Sequence, residues 1–505
     1  MNLYREWLFN RRRFLAVGAA TSGLMAYGDL SALSETTMTY EPNLDSLNKH
    51  QVPDWFRDAK FGVFIHWGPY SIPAFAPDRD EITEAASGTP DGFKYNPYAE
   101  WYLNTMQFED SPTAQFHAET YGADYAYDNF GVAYNEALDN WDPDSWARLF
   151  KASGARYVVL VSKHHDGFLL WPSETPNPHK KNWGTTRDVV GELAEAVRSQ
   201  GLRFGIYYSG GVDWTFKHRR IEGFQDLFLG MPGDAENYTA YANAHYEELI
   251  RRYRPDYLWN DIGYPTDADA FSVIAQYYNQ VPNGLTNDRW MSPAGLTDPN
   301  AFVRPEGVTG LIPPEPPVWD VRTPEYGLFD RILPFDWETT RGLGKSFGFN
   351  RAEATEDLLA SDEIISMLTQ SAVFNGNVLL NVGPRGDAQI DPAQAERLIR
   401  VGQWLDGHRE AVQDTRPVAL PASETEGLGV GAVETDEALY VHVFDNPGAG
   451  PIRQMLPSGT PLANPQLMNG KPGDATLQDG ALFVSPDTWP ETPTQIVKLT
   501  KETAG

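Results

Sequence analysis

What most restricts the fold is a repeated pattern: a short apolar run that ends abruptly in a polar or aromatic cluster, then an amphipathic stretch. Phe61-Gly62-Val63-Phe64-Ile65 runs into His66-Trp67, and Arg156 to Ser162 runs into His164-His165-Asp166. Later runs end in Tyr207-Tyr208, in Trp259-Asn260-Asp261, in Asp288-Arg289-Trp290 and in Trp337-Glu338. Between them lie helical patterns, among them Asp188 to Gln200 with Val190, Leu193 and Val197 on one face and Gly201 at its end. Others run from about Ala235 to Tyr253 and from Phe271 to Gln280, and a last one places Leu398, Val401 and Leu405 on one face after the strand Asn377 to Asn381. Alternation of this kind predicts β-α units, and functional groups at the ends of successive parallel strands predict a (β/α)8-type barrel. A doubly wound sheet would bring a glycine-rich phosphate loop, which the chain lacks.

After about Arg416 the texture changes to short alternating strands such as Ala438 to Phe444 and Ala481 to Val484, separated by turn residues, which predicts an antiparallel β-sandwich. With 505 residues the chain exceeds what one core fills, so two folded units are expected: a barrel over 36–411 and a sandwich over 412–505. The stretch 298–318, with Pro313-Pro314-Glu315-Pro316-Pro317, admits no regular element and is expected to loop over the barrel mouth.

Composition narrows the partners. Forty Lys+Arg against 69 Asp+Glu give a net charge of −29, which repels phosphate backbones and anionic membrane surfaces, so nucleic acid is excluded as a partner. Residues 1–35 carry Asn10-Arg11-Arg12-Arg13-Phe14-Leu15 and then a small, apolar stretch, the pattern of a twin-arginine export signal with a short linker. The apolar run is too short to span a bilayer, so no stable membrane insertion is expected and the chain reads as exported, to a periplasm or beyond the cell. The absence of cysteine suits a protein folded in a reducing cytosol before export.

Asp261 stands out among the strand-end residues. A carboxylate that closes an apolar strand beside Trp259 and Asn260, with no local cation, is costly to desolvate and is a candidate nucleophile. His164 and His165 raise the question of a metal, but neighbours on a strand point to opposite faces and no third ligand lies at suitable spacing, so a metal site is disfavoured. In Phe204-Gly205-Ile206-Tyr207, Gly205 and Tyr207 share a face, which favours Tyr207 over Tyr208 as a site residue.

These runs together resemble glycoside hydrolase family 29, the retaining α-L-fucosidases, over nearly all of Tyr40 to Glu410. The resemblance is carried by Trp55 to Gly68, Glu100-Trp101-Tyr102, Lys163 to Phe168, Tyr207 to Gly211 and Leu258 to Asp261. Asn287 to Trp290, Thr323 to Tyr326, Trp337 to Gly342 and Asn377 to Pro384 continue it in order. The resemblance implies a barrel with a C-terminal β-sandwich and exo-acting release of terminal α-L-fucose from glycans, with no cofactor and no metal. It places the nucleophile at Asp261 and the acid/base at Glu325, in the motif of the broad-specificity branch; Glu306 and Glu315 are the nearby alternatives. It places sugar contacts at His66, Glu100, Trp101, His164, His165, Tyr207, Trp259 and Arg289, while Trp67, Trp337 and Glu338 either line the site or brace it and Asn381 is structural. Retention calls for two carboxyl groups about 5–5.5 Å apart, one attacking carbon and one protonating the leaving oxygen. The rival readings are another exo-glycosidase such as an α-L-galactosidase, which needs a polar partner where fucose needs an apolar wall, and a non-catalytic glycan-binding relative. The expected partner is a fucosylated oligosaccharide, polysaccharide or glycoconjugate, and the sequence leaves linkage, sulfation and oligomeric state open.

Overall fold

A computed structural model describes residues 39–502 except for 80–91, 224–225, 228–229, 267, 292–311, 313, 422–428, 445–450, 460 and 487–490. The expected export signal, Glu306 and most of the expected 298–318 loop lie outside the described residues. Seven parallel strands form the first sheet: β1 (Phe61–Ile65), β2 (Tyr157–Lys163), β3 (Arg203–Ser209), β4 (Tyr257–Asp261), β5 (Leu285–Thr286), β6 (Trp337–Gly342) and β7 (Gly376–Val382). Their order is β5-β4-β3-β2-β1-β7-β6, so the sheet ends on β5 and β6.

Residues 320–326 close the gap between those two edges. Asn287 bridges Val321, Arg322 bridges Trp337, and Glu325 bridges Thr340, all in parallel sense. Backbone bonds seal the join, from Asp320 N to Thr286 O at 3.2 Å, Glu338 N to Arg322 O at 2.8 Å and Thr340 N to Pro324 O at 3.0 Å. The ring is thus a (β/α)8-type barrel whose eighth position is an irregular extended segment, and that segment carries Glu325.

Alternation along each strand divides the apolar residues into two layers. Phe64, Val159, Val161, Tyr207, Tyr257, Trp259 and Leu379 point inward and form one cluster. Val63, Val158, Leu160, Phe204, Ile206, Leu258 and Leu380 point outward against helices that include Pro143–Ala152, Val189–Ser199, Tyr238–Tyr253 and Pro392–His408. The connection from β1 to β2 is a long helical excursion in which Gly92–Trp101 folds back over the mouth. Among the described residues no helix is long and apolar enough to cross a membrane.

Beyond Arg416 two antiparallel sheets of five and three strands enclose Leu439, Val441, Leu482, Val484 and Val497. This β-sandwich leans on the barrel through Thr369 Oγ1, 2.8 Å from Thr494 Oγ1, and through His442, whose ring nitrogen lies 2.9 Å from Ala411 O.

One expectation about strand ends needs correction. Trp337-Glu338 does not close a strand; it opens β6, at the floor of the barrel. A Trp-Glu pair beside an apolar run has the same composition at either end of a strand, so the pattern alone could not tell floor from mouth.

Candidate active site

At the C-terminal ends of the strands a chamber of about 670 Å³, counted to its open mouth, is lined by residues from nearly every strand. Its walls include Phe64, His66, Tyr98, Glu100, Trp101, His164, His165, Tyr207, Trp259, Asp261, Arg289, Glu325, Thr340 and Phe347.

Asp261 is inward because it follows Tyr257 and Trp259 at two-residue intervals on β4. Its backbone is gripped by the turn after β3: the amides of Gly210 and Gly211 donate to Asp261 O at 3.1 and 3.4 Å. Only glycine permits that approach at 211, where a Cβ would lie 1.8 Å from Ile262 O. Behind it, the Asn260 amide points outward and donates to Gly263 O at 2.8 Å and Arg289 O at 2.7 Å, pinning two strand-end loops together.

The two acids named from sequence meet through one cation. Arg289 Nη1 donates to Asp261 Oδ1 at 2.9 Å and Nη2 to Glu325 Oε2 at 3.3 Å, so a single guanidinium spans both carboxyl groups. The Arg289 side chain also lies over Trp259, 4.7 Å from the ring centroid. The second oxygen of Asp261 accepts from Tyr207 OH at 2.7 Å, and the second oxygen of Glu325 accepts from Tyr98 OH at 3.0 Å. Burial raises the proton affinity of Glu325 above that of an ordinary carboxyl group; Arg289 opposes this and the charge of Asp261 adds to it. One acid is therefore biased toward holding a proton beside another that is tied to donors.

The remaining polar walls are neutral. Burial pushes His66 down to about 4 and His165 down to about 3, and carries His164 well below its usual range. Hydrogen bonds fix two of the tautomers. Asn381 Nδ2 donates to Phe347 O at 2.5 Å, so its oxygen, 2.6 Å from His66 Nδ1, accepts the imidazole proton and leaves His66 Nε2 as an acceptor. Likewise Ser209 Oγ donates to Val212 O at 2.7 Å and accepts from His165 Nδ1 at 2.6 Å, which makes His165 Nε2 an acceptor too. Glu100 is pushed up to about 8 by burial; its Oε2 accepts from Gly348 N at 2.7 Å, leaving Oε1 to carry the proton. Neutral acceptors beside a neutral donor suit the hydroxyls of a sugar.

The structure brings together at the chamber Asp261, Glu325, His66, Glu100, Trp101, His164, His165, Tyr207, Trp259 and Arg289. The adjacent histidines do not point to opposite faces: β2 ends at Lys163, the chain turns with Gly167 N bonded to His164 O at 3.0 Å, and the two rings lie 3.9 Å apart. Tyr208 faces the helix layer, 3.0 Å from His245 Nδ1. Three residues stay out of the chamber. Trp67 is buried among Tyr134, Trp141 and Trp146. Trp337 faces outward and bonds Phe374 O at 2.8 Å. Glu338 points into the barrel floor against the hydroxyls of Tyr157 and Tyr257. Glu315, an alternative acid, pairs with Arg322 at 3.2 Å and is two-thirds exposed. Sequence reasoning missed Tyr98 and Phe347, and it treated Asn381 as structural, although Asn381 orients His66. The signal for Tyr98 was its two-residue offset from Glu100, hidden because the segment is short 3-10 helix rather than strand.

Comparison with known proteins supplies the relatives. The family profile described as Alpha-L-fucosidase matches residues 30–410. The tissue alpha-L-fucosidase of Homo sapiens is 30% identical over 472 residues, covering 88% of this chain and 87% of that protein. That of Bos taurus is 32% identical over 418 residues, covering 78% of this chain and 77% of the other. The crystal structure of the Thermotoga maritima alpha-fucosidase superposes with a TM-score of 0.74 at 36% identity, covering 91% of this chain and 99% of that one.

Proposed function

The chain belongs to the alpha-L-fucosidase family, which hydrolyses α-L-fucosyl residues, and on that premise we propose that Asp261 and Glu325 divide the chemistry of a retaining double displacement. An Asp261 oxygen bonds to the anomeric carbon as the glycosidic bond breaks, and the Glu325 proton goes to the departing oxygen. Glu325, now a carboxylate, takes a proton from water; the water oxygen attacks the same carbon and frees Asp261, so two inversions give net retention. The observation that carries this reading is the shared guanidinium: Arg289 holds both carboxyl groups at one chamber, and burial raises the proton affinity of Glu325 there.

His66, Glu100, His164, His165 and Tyr207 would bind the hydroxyls, and Phe64, Trp259 and Phe347 offer the apolar wall that a deoxy sugar needs and a C6 hydroxyl would not. We assign catalysis to residues 36–411, with 412–505 as a buttress. The test is Asp261→Ala, which abolishes turnover of an aryl fucoside, while added azide restores release as β-fucosyl azide. Unimpaired hydrolysis by that variant sinks the assignment, and equal rates on aryl L-fucoside and aryl L-galactoside sink the apolar-wall account. Export through the twin-arginine route rests on Arg11-Arg12 and Phe14-Leu15; replacing both arginines by lysine should hold the enzyme in the cytosol, and continued export would reject that route.

A further inference from the structure

We propose that Thr323, held by Asp288, is a positioning residue that keeps Arg289 shared between Asp261 and Glu325. The Thr323 hydroxyl donates to Asp288 Oδ1 at 2.6 Å, and the Thr323 amide donates to the same oxygen at 3.1 Å. Asp288 is fully buried, and its other oxygen lies 2.8 Å from Arg322 Nε. With its proton spent on Asp288, Thr323 Oγ1 can only accept, and it accepts from Arg289 Nε at 3.1 Å; Thr323 O accepts from Arg289 Nη2 at 3.3 Å. Thr323 thus offers the guanidinium edge two oxygens in the manner of a carboxylate, but without charge. That edge is the one from which Arg289 would otherwise make a bidentate pair with a neighbouring acid.

The consequence concerns proton ownership. The contact to Asp261 is already of ordinary length at 2.9 Å, whereas the contact to Glu325 is stretched to 3.3 Å and its nitrogen is shared with Thr323 O. Releasing Nε frees Nη2 to close on Glu325, and a closer cation favours the carboxylate over the acid. Glu325 is faced by Arg289 and Asp261 from the strand ends, by Tyr98 and Glu100 from the segment over the mouth, and by Tyr326 beside it. Of these, Thr323 restrains Arg289 alone.

This inference rests on the reading of Glu325 as the acid, and the experiment separates the two. The pH dependence of kcat/KM is measured on a fucosyl disaccharide and on an aryl fucoside with a good leaving group, for Thr323→Val, Thr323→Ser and Glu325→Ala. Thr323→Val should lower the alkaline limb on the disaccharide by about one pH unit. It should also reduce kcat there by roughly a hundredfold with KM little changed. Thr323→Ser, which keeps the oxygen, should restore both. An alkaline limb that stays or rises in Thr323→Val, while Glu325→Ala removes it, overturns the clamp and leaves the acid assignment standing. A limb that survives in Glu325→Ala overturns the acid assignment itself, and the clamp with it.

Discussion

The mouth and the floor of the barrel each bury a carboxyl group among tyrosine hydroxyls and tryptophan rings, and the two have opposite purposes. At the mouth, Glu325 meets Tyr98 OH and a guanidinium that also holds a second acid, and the group remains on a chamber wall. At the floor, Glu338 is completely buried with the hydroxyls of Tyr157 and Tyr257, and among the described residues no cation pairs with it. Burial, with a smaller push from the charge of Asp288, carries Glu338 up to about 8, so it is a neutral acid that ties β2, β4 and β6 together. Burial with a shared cation gives a proton that can move; burial without one gives a proton that stays. The same residue type becomes machinery or mortar according to which end of the strand it occupies.

The largest expected effect breaks this comparison at the mouth. Glu325→Ala should cost roughly 10²- to 10⁴-fold in kcat/KM on glycans with poor leaving groups, and far less on aryl fucosides that need little protonation. The melting temperature should hold or rise, since removing Glu325 takes away an acid that sits beside Asp261. Equal losses on both substrate types would show that this residue does not supply the proton. At the floor the outcome reverses. Glu338→Ala strands two buried tyrosine hydroxyls and should lower unfolding stability by about 2–4 kcal/mol, read by denaturant melts, while the pH profile of turnover stays where it was. A shifted profile would mean that Glu338 speaks to the chamber.

A gentler change sharpens the floor. Because Glu338 binds its proton more tightly folded than unfolded, its contribution is fully present below the ordinary glutamate range, near 4.5, and is lost as pH rises toward about 8. Glu100, also near 8, and Glu353, near 7, act in the same direction. The buried histidines act the other way below about pH 6.5, so the melting temperature should fall between about pH 6.5 and 8, and Glu338→Gln, which keeps the shape and cannot ionise, should flatten that fall. An unchanged slope would mean that the floor carboxyl is already ionised.

How much of this was legible in the sequence follows from what alternation can and cannot encode. Strand parity put Tyr207 inside and Tyr208 outside, since a two-residue period survives wherever the strand is regular. It failed at His164-His165, because β2 ends one residue earlier and the following turn brings both rings to one side. It failed again at Trp337-Glu338, because composition does not record strand direction. The segment bearing Glu325 shows no strand pattern in the sequence, yet it bridges two strand edges as the closing stave of the barrel. The roles of Asn381 and Thr323 were missed for a different reason: each acts through hydrogen bonds to residues distant in the chain, and no local pattern marks such a partner.

The smallest effect compares one hydroxyl at each end. Tyr98→Phe removes the donor to Glu325 Oε1, a bond that favours the carboxylate. The acid should then keep its proton to higher pH, moving the alkaline limb of kcat/KM upward by about half a unit for a loss near 1 kcal/mol, the opposite direction to the shift expected for Thr323→Val. Tyr257→Phe deletes the same oxygen at the floor, where the hydroxyl lies 3.2 Å from Glu338. It should leave the limb in place and register only as a stability loss of about 1 kcal/mol. If both substitutions move the limb, proton ownership at the mouth depends on the whole barrel interior rather than on the donors that touch Glu325. If only Tyr98→Phe does, the hydroxyl over the mouth is a tuning element and the one at the floor is structural.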